Sequence, residues 1–260
     1  MNISQLKSFK RSGEKIACLT AYDASFAQTF DRCGVDVILV GDSLGNVIHG
    51  SGNTVSVSMD DMCYHTKIVA KGCEQALIIS DLPYQSYEDP KQALTNSNLL
   101  IDAGADMVKF EGGREHESIF KKLHESGIPL CAHLGLLPQS VSDPGGFKVQ
   151  GKDEDSAKRI IEDAILVESW GADVVVLECI PANLASIVSN NLSIPTIGIG
   201  AGVDCDGQVL VSYDMLGINS NKKPKFVKNF LESSTGIGAA VESYVESVKN
   251  KSFPSREHTY

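Results

Sequence analysis

Six residues that could do chemistry each close an apolar run. Asp42 follows Val37-Ile38-Leu39-Val40-Gly41, Asp81 follows Leu77-Ile78-Ile79-Ser80, and Lys109 and Glu111 alternate with Val108 and Phe110. His133 comes after Leu130-Cys131-Ala132, and Glu178 after Val174-Val175-Val176-Leu177. Any one of them alone reads as a loop cap or a surface ion pair. Six in one pattern do not, because charge next to an apolar core is costly unless it pairs or binds a metal. Asp42, Asp81 and Glu111, without a cysteine–histidine cluster, point to a hard divalent ion, Mg²⁺ rather than Zn²⁺. Held by two carboxylates, such an ion could chelate the carboxylate and keto oxygen of a 2-keto acid. It would acidify the neighbouring carbon and stabilise the resulting enolate. Glu178, at the end of an otherwise apolar strand, is the expected base, its pKa raised by partial desolvation. Lys109 would offset negative charge, and His133 would donate a hydrogen bond to a substrate oxygen.

The elements that must position these groups alternate along the chain. Continuous apolar runs rich in β-branched residues are expected to be parallel strands buried on both faces, here over 15–20, 37–45, 76–83, 107–113, 128–135, 172–180, 194–202 and 208–212. Helices are expected over 23–33, 58–71, 90–102, 115–125 and 155–170, with Pro181 at the first position of another. Terminal helices are expected over 224–231 and 237–248. In the second, Ile237, Val241, Tyr244 and Val248 form an apolar stripe that must bury against the body or a partner. Eight strand–helix alternations predict an α/β fold, a (β/α)₈ TIM barrel with extra C-terminal helices in one domain over 1–260. A doubly wound open sheet is the runner-up. Barrel closure would bring all six residues to one mouth, with Lys109 and Glu111 facing inward and Phe110 outward. The long loops 46–58 and 136–152, the latter with Pro144, Gly145 and Gly146, are lid candidates. Gly198-x-Gly200-x-Gly202 lacks dinucleotide-loop spacing and reads as close backbone approach. Residues 1–15 read as a polar lead, and the last ten are expected to be mobile.

Composition narrows the partners. Acidic residues outnumber basic ones 33 to 23 and no basic block occurs, so neither nucleic acid nor an anionic membrane has electrostatic support. No apolar run approaches the ~18–20 residues of a membrane span, and residues 1–15 lack a signal-like apolar segment. Seven scattered cysteines form no C-x-x-C pair and suit a reducing cytoplasm. The expected ligand is a small molecule.

The segments LTAYDASFA, VGDSLG, YHT, SDLPY, MVKFEGG, AHLGLLPQS, GGFKVQG, VLECIP, IGIGAG and DGQVLV, in this order, resemble the ketopantoate hydroxymethyltransferase family over nearly the whole chain. The resemblance implies transfer of a one-carbon unit from 5,10-methylenetetrahydrofolate to 3-methyl-2-oxobutanoate, giving 2-dehydropantoate on the way to pantothenate. It further implies that Asp42 and Asp81 hold Mg²⁺, with Glu111 beside it. Ser43, Lys109 and His133 would contact the keto acid along with Asp42 and Asp81, and Glu178 would take the proton from C3. A homo-oligomer, a decamer in family members, is implied too. Leu137, Ser56 and Phe147 depart from the family's usual residues in the loops.

Two rival readings make different demands on the sequence. Another metal-dependent 2-keto acid or phosphoenolpyruvate-type barrel lyase would use a similar site, but the Lys-x-x-Cys-Gly-His run of such lyases is missing. A non-catalytic oligomeric barrel scaffold predicts gaps among the strand-end polar residues, and there are none.

Overall fold

In the computed structural model, which describes residues 1–140, 148–218 and 223–260, eight parallel strands close into a barrel in sequence order. They are β1 (Ile16–Thr20), β2 (Val37–Val40), β3 (Leu77–Asp81), β4 (Met107–Glu111), β5 (Leu130–Gly135), β6 (Val174–Glu178), β7 (Thr196–Ile199) and β8 (Gly207–Leu210). The open-sheet alternative is excluded by the pairing of β1 with β8, which joins Ile16 to Gly207 and Leu19 to Leu210. Nearly every strand residue is buried, as strands covered by helices on one side and filled by side chains on the other must be.

The helices are α1 (Ile3–Ser12), α2 (Ala24–Arg32), α3 (Leu44–Val47), α4 (Met59–Ala70), α5 (Pro90–Asp102), α6 (Glu117–Glu125), α7 (Glu154–Ser169), α8 (Ala182–Asn191), α9 (Ser212–Met215) and α10 (Ile237–Lys249). Their starts follow from local chemistry. Asp23 and Asp89 accept hydrogen bonds from the first turns of α2 and α5, and Ser58 with Asp61 forms a reciprocal capping box on α4. Of the stripe on α10, Val241, Tyr244 and Val248 are buried within the chain, while Ile237 at its start is exposed. The Tyr244 hydroxyl lies 2.9 Å from the carbonyl oxygens of Cys18 and Gln208, across the β1–β8 seam, and Val241 and Val248 are buried beside it.

Several expectations are corrected. The polar lead contains α1, which Asn2 caps at one end and Gly13 closes at φ 76° at the other. Leu6 is its only fully buried residue, so no apolar period announced it. Residues 224–231 do not form a helix. After a turn from Pro224 to Val227, the Phe230 N–H donates to Met215 O instead of to its own segment. The buried Phe226, Val227 and Phe230 therefore reflect tertiary packing and not helical period. Pro181 caps α8 from outside at ψ 139°, one residue before the helix begins. The last ten residues are held down: Phe253 is buried against Phe230 and Tyr244, and the Ala182 N–H donates to Tyr260 O. The short α3 and α9 had no distinguishing pattern at four residues each.

The glycines of β7 and its loop are sites of close approach. A Cβ on Gly200, at φ +62°, would lie 2.8 Å from the Phe226 ring, and one on Gly202, at φ +87°, 2.6 Å from Ala182. In the first lid candidate, α3 occupies the start and the chain folds back so closely that a Cβ on Gly45 would meet Asn53 O at 2.8 Å. Of the second, residues 141–147, including Pro144, Gly145, Gly146 and Phe147, lie outside the described residues.

Candidate active site

Strand register delivers the chemistry to one end of the barrel. Asp81 pairs with Lys109, Glu111 with His133, and Gly135 with Glu178, so β3 to β6 present their polar residues side by side at their carboxyl ends. That is the end at which barrels of this type build their sites. Asp42 follows β2, and its backbone N–H donates to Asp81 Oδ2 at 3.0 Å. A Cβ on Gly41 would meet Ser43 Oγ at 2.8 Å, so glycine there leaves the hydroxyl its present place. Asp42, Asp81, Lys109, Glu111 and His133 are all buried, and Glu178 is nearly so. Phe110, between the two inward-facing charges of β4, packs outward on Phe120 and Tyr87, as alternation requires.

Lys109 sits at the centre. Its ammonium is 2.9 Å from Asp81 Oδ1 and 3.3 Å from His133 Nδ1. Burial opposes its charge, but Asp81, Asp42 and Glu111 outweigh burial and raise its pKa, holding it protonated. The carboxyls respond the opposite way. Burial pushes Asp81 up to about 6 against the pull of Lys109. Glu111 is raised well above its ordinary value by burial and by Asp42, with Lys109 opposing. Glu178 rises to about 7 by burial, again with Lys109 opposing.

His133 is held neutral, its pKa lowered well below the usual value by burial and then by Lys109. Its approaches to Glu111, at 3.6 Å, and to Glu178, at 3.1 Å, are therefore not ion pairs. Lys109 can only donate, so Nδ1 accepts and the single imidazole proton lies on Nε2. The 3.1 Å approach to Glu178 Oε2 is not aligned for a hydrogen bond, and Nε2 is a buried donor without a partner. Glu111 Oε1 is also buried without a hydrogen-bonding partner, whereas Asp81 Oδ1 is taken by the Lys109 ammonium at 2.9 Å. Buried polar atoms are normally satisfied, so two unsatisfied ones at one mouth, Glu111 Oε1 and His133 Nε2, mark a place built for a ligand.

The donor set fits Mg²⁺. Among the described residues no three histidine, cysteine or acidic side chains gather around one point. Mg²⁺ does not need them: it is commonly bound through one or two carboxylates and keeps several waters. Asp42 and Asp81, linked by the backbone hydrogen bond, with the unpartnered Glu111 oxygen nearby, supply the oxygen donors that a hard cation takes.

Ser43 lies beside the cluster, 2.8 Å from the Tyr22 hydroxyl. Immediately after Glu178 the chain turns sharply. Cys179 adopts φ +49°, unusual for a residue with a side chain, and is fixed by Ile199 O on its N–H and by the Gln150 N–H on its carbonyl.

Three contributors were not singled out from sequence. Gln139 is buried and donates through Nε2 to Asp42 Oδ2 at 2.9 Å and through its backbone N–H to Glu111 Oε2 at 3.0 Å. The Tyr87 hydroxyl donates to Gln139 Oε1 at 2.7 Å, and Tyr22 meets Ser43. Gln139 sits in the AHLGLLPQS segment, yet a lone amide in a loop carries no periodicity that would announce burial.

A family model described as ketopantoate hydroxymethyltransferase matches residues 1–256. The chain belongs to the ketopantoate hydroxymethyltransferase family. It is 65% identical, over 100% of both chains, to the 3-methyl-2-oxobutanoate hydroxymethyltransferase of Ruthia magnifica subsp. Calyptogena magnifica. It is 59% identical, again over 100% of both, to the protein of that name from Vesicomyosocius okutanii subsp. Calyptogena okutanii (strain HA). Among solved structures it is similar to phosphonopyruvate hydrolase in complex with oxalate and Mg²⁺, with a TM-score of 0.63, 13% identity and 81% of each chain covered. That likeness speaks to the barrel alone. Membership of the ketopantoate hydroxymethyltransferase family makes the chain an enzyme, a transferase of hydroxymethyl groups. Among the described residues no helix is long and apolar enough to cross a membrane.

Proposed function

We propose that the chain transfers a one-carbon unit from 5,10-methylenetetrahydrofolate to 3-methyl-2-oxobutanoate, forming 2-dehydropantoate. The observation that supports this reading is the pair of unpartnered buried atoms, Glu111 Oε1 and His133 Nε2, beside the Asp81–Lys109 ion pair at a mouth bordered by Glu178. Cation-seeking carboxylate oxygens beside an unused imidazole N–H suit a 2-keto acid, whose oxygens need both.

Asp42 and Asp81 would hold Mg²⁺, with Glu111 beside it. When bound, the ion supplies Lewis-acid polarisation of the keto group and offsets the negative charge that develops there. Lys109, held charged, adds fixed positive potential beside the same oxygens. His133 Nε2–H donates to a substrate oxygen, and Ser43, oriented by Tyr22, contacts the keto acid. Glu178 accepts the C3 proton. Its pKa of about 7 suits a general base: half ionised near neutrality, it binds a proton far more strongly than an exposed glutamate does. The C3 carbon of the resulting enolate then bonds to the methylene carbon of the folate; both of that carbon's C–N bonds break, water supplies the hydroxyl oxygen, and tetrahydrofolate leaves.

The direct test combines purified protein, Mg²⁺, methylenetetrahydrofolate and 3-methyl-2-oxobutanoate. The expected product carries a new hydroxymethyl group on C3. Turnover of a carbon–carbon lyase substrate, with none of this product, would favour the lyase reading.

A further inference from the structure

We propose that Gln139 is a positioning residue for the cation site: its side-chain amide selects which oxygen of Asp42 a divalent ion can use. The inference rests on the assignment of Mg²⁺ to Asp42 and Asp81.

The geometry determines how the Gln139 amide is oriented. Nε2 lies 2.9 Å from Asp42 Oδ2 and 3.1 Å from Leu82 O. A peptide carbonyl only accepts, so the atom facing Leu82 must be the nitrogen. The amide oxygen then faces Tyr87, whose hydroxyl donates to it at 2.7 Å. Both amide protons are thereby committed, one to Asp42 and one to the end of β3. The same residue uses its backbone N–H on Glu111 Oε2 at 3.0 Å. One buried residue, on the loop after β5, thus ties down one oxygen on a carboxylate following β2 and one on a carboxylate ending β4.

What it leaves is equally specific. On Glu111, the oxygen not taken by Gln139 is Oε1, which is buried without a hydrogen-bonding partner. On Asp42, Oδ1 is the oxygen that Gln139 does not hold. On Asp81, the Asp42 N–H takes Oδ2 and leaves Oδ1 facing the Lys109 ammonium at 2.9 Å. Asp42, Asp81 and Glu111 therefore each have one oxygen tethered by a neutral N–H donor, which fixes the direction of the other. A carboxylate fixed in this way offers a cation one oxygen in a set direction, without losing rotational freedom on binding. Groups that orient metal-binding carboxylates typically change affinity by about 10- to 100-fold when removed.

The test is calorimetric titration of Mg²⁺ into metal-free protein without substrates, with thermal unfolding in EDTA to verify folding. Gln139→Met keeps length and removes every polar contact of the side chain. It is expected to raise the Mg²⁺ Kd about tenfold or more. A wild-type Kd in folded Gln139→Met would overturn the proposal. If that variant does not fold, Tyr87→Phe decides: losing the hydroxyl that anchors the amide should weaken Mg²⁺ in the same direction by a smaller factor, and a wild-type Kd there would overturn it. Asp42→Asn separates this inference from the assignment beneath it. Weakened binding in Asp42→Asn alongside wild-type binding in Gln139→Met removes only the role of Gln139. Wild-type binding in both removes the cation site as well.

Discussion

His133 Nε2 lies 3.1 Å from Glu178 Oε2, yet the two are not joined by an aligned hydrogen bond. The imidazole is neutral and the carboxyl titrates near 7, so the site near neutrality holds a proton donor and a half-ionised base facing one space. The activity must follow the base. Glu178 accepts a proton only when ionised, so kcat/KM is expected to rise with pH through about 7 and level off above it. A pH profile across the neutral range checks this; a limb near the ordinary glutamate value would mean that the base is exposed or is another residue.

The same burial carries a cost in stability. Folding raises the Glu178 pKa from 4.5 to about 7, so the folded state binds its proton more tightly than the unfolded state does. The proton-linked contribution is fully present below pH 4.5 and is lost as pH rises through about 7. Above that range the folded protein must bury the charge, and Glu178→Gln is expected to be the more stable protein by up to about 3 kcal/mol. At pH 4.5 and below the advantage should vanish. Denaturant unfolding of both metal-free proteins, at acidic pH and at about pH 8, measures it.

Metal binding should carry its own pH limb. Asp81 is raised to about 6, chiefly by burial, and a protonated carboxyl does not ligate a cation. Mg²⁺ affinity is expected to fall as pH drops below about 6. Asp42→Asn and Asp81→Asn should each weaken it throughout, and titrations indistinguishable from wild type would return both residues to a structural role.

At the seam where the barrel closes, Tyr244 ties α10 to β1 and β8 through its hydroxyl. Tyr244→Phe keeps the ring and leaves buried carbonyls without that donor, an expected loss of about 1 to 2 kcal/mol in unfolding free energy. Catalytic constants should not change, because Tyr244 is placed outside the group of residues at the mouth. Equilibrium unfolding together with steady-state kinetics reads both halves.

The barrel was legible because its strands are built on apolar runs and its helices begin at strong caps such as Asp23, Ser58 and Asp89. The six strand-end residues could be read because a charge that closes an apolar run is conspicuous. Other features leave no such trace. The polar helix α1 buries little, and residues 224–231 carry aromatic residues that pack tertiarily without helical hydrogen bonds. Phe253 fixes a tail whose composition alone suggests mobility. Gln139 matters because of where the loop puts it, 97 positions from Asp42 along the chain. Distances of that kind follow from closure of the barrel, which no local pattern encodes.

Everything proposed for the reaction depends on Glu178 removing the C3 proton of 3-methyl-2-oxobutanoate. Proton NMR of the keto acid in D₂O, with Mg²⁺ and enzyme but no folate, follows that step alone. Wild type is expected to exchange the C3 proton for deuterium, and Glu178→Gln to abolish exchange while still binding keto acid and Mg²⁺. Exchange at the wild-type rate in Glu178→Gln would contradict the assignment of Glu178 as the base.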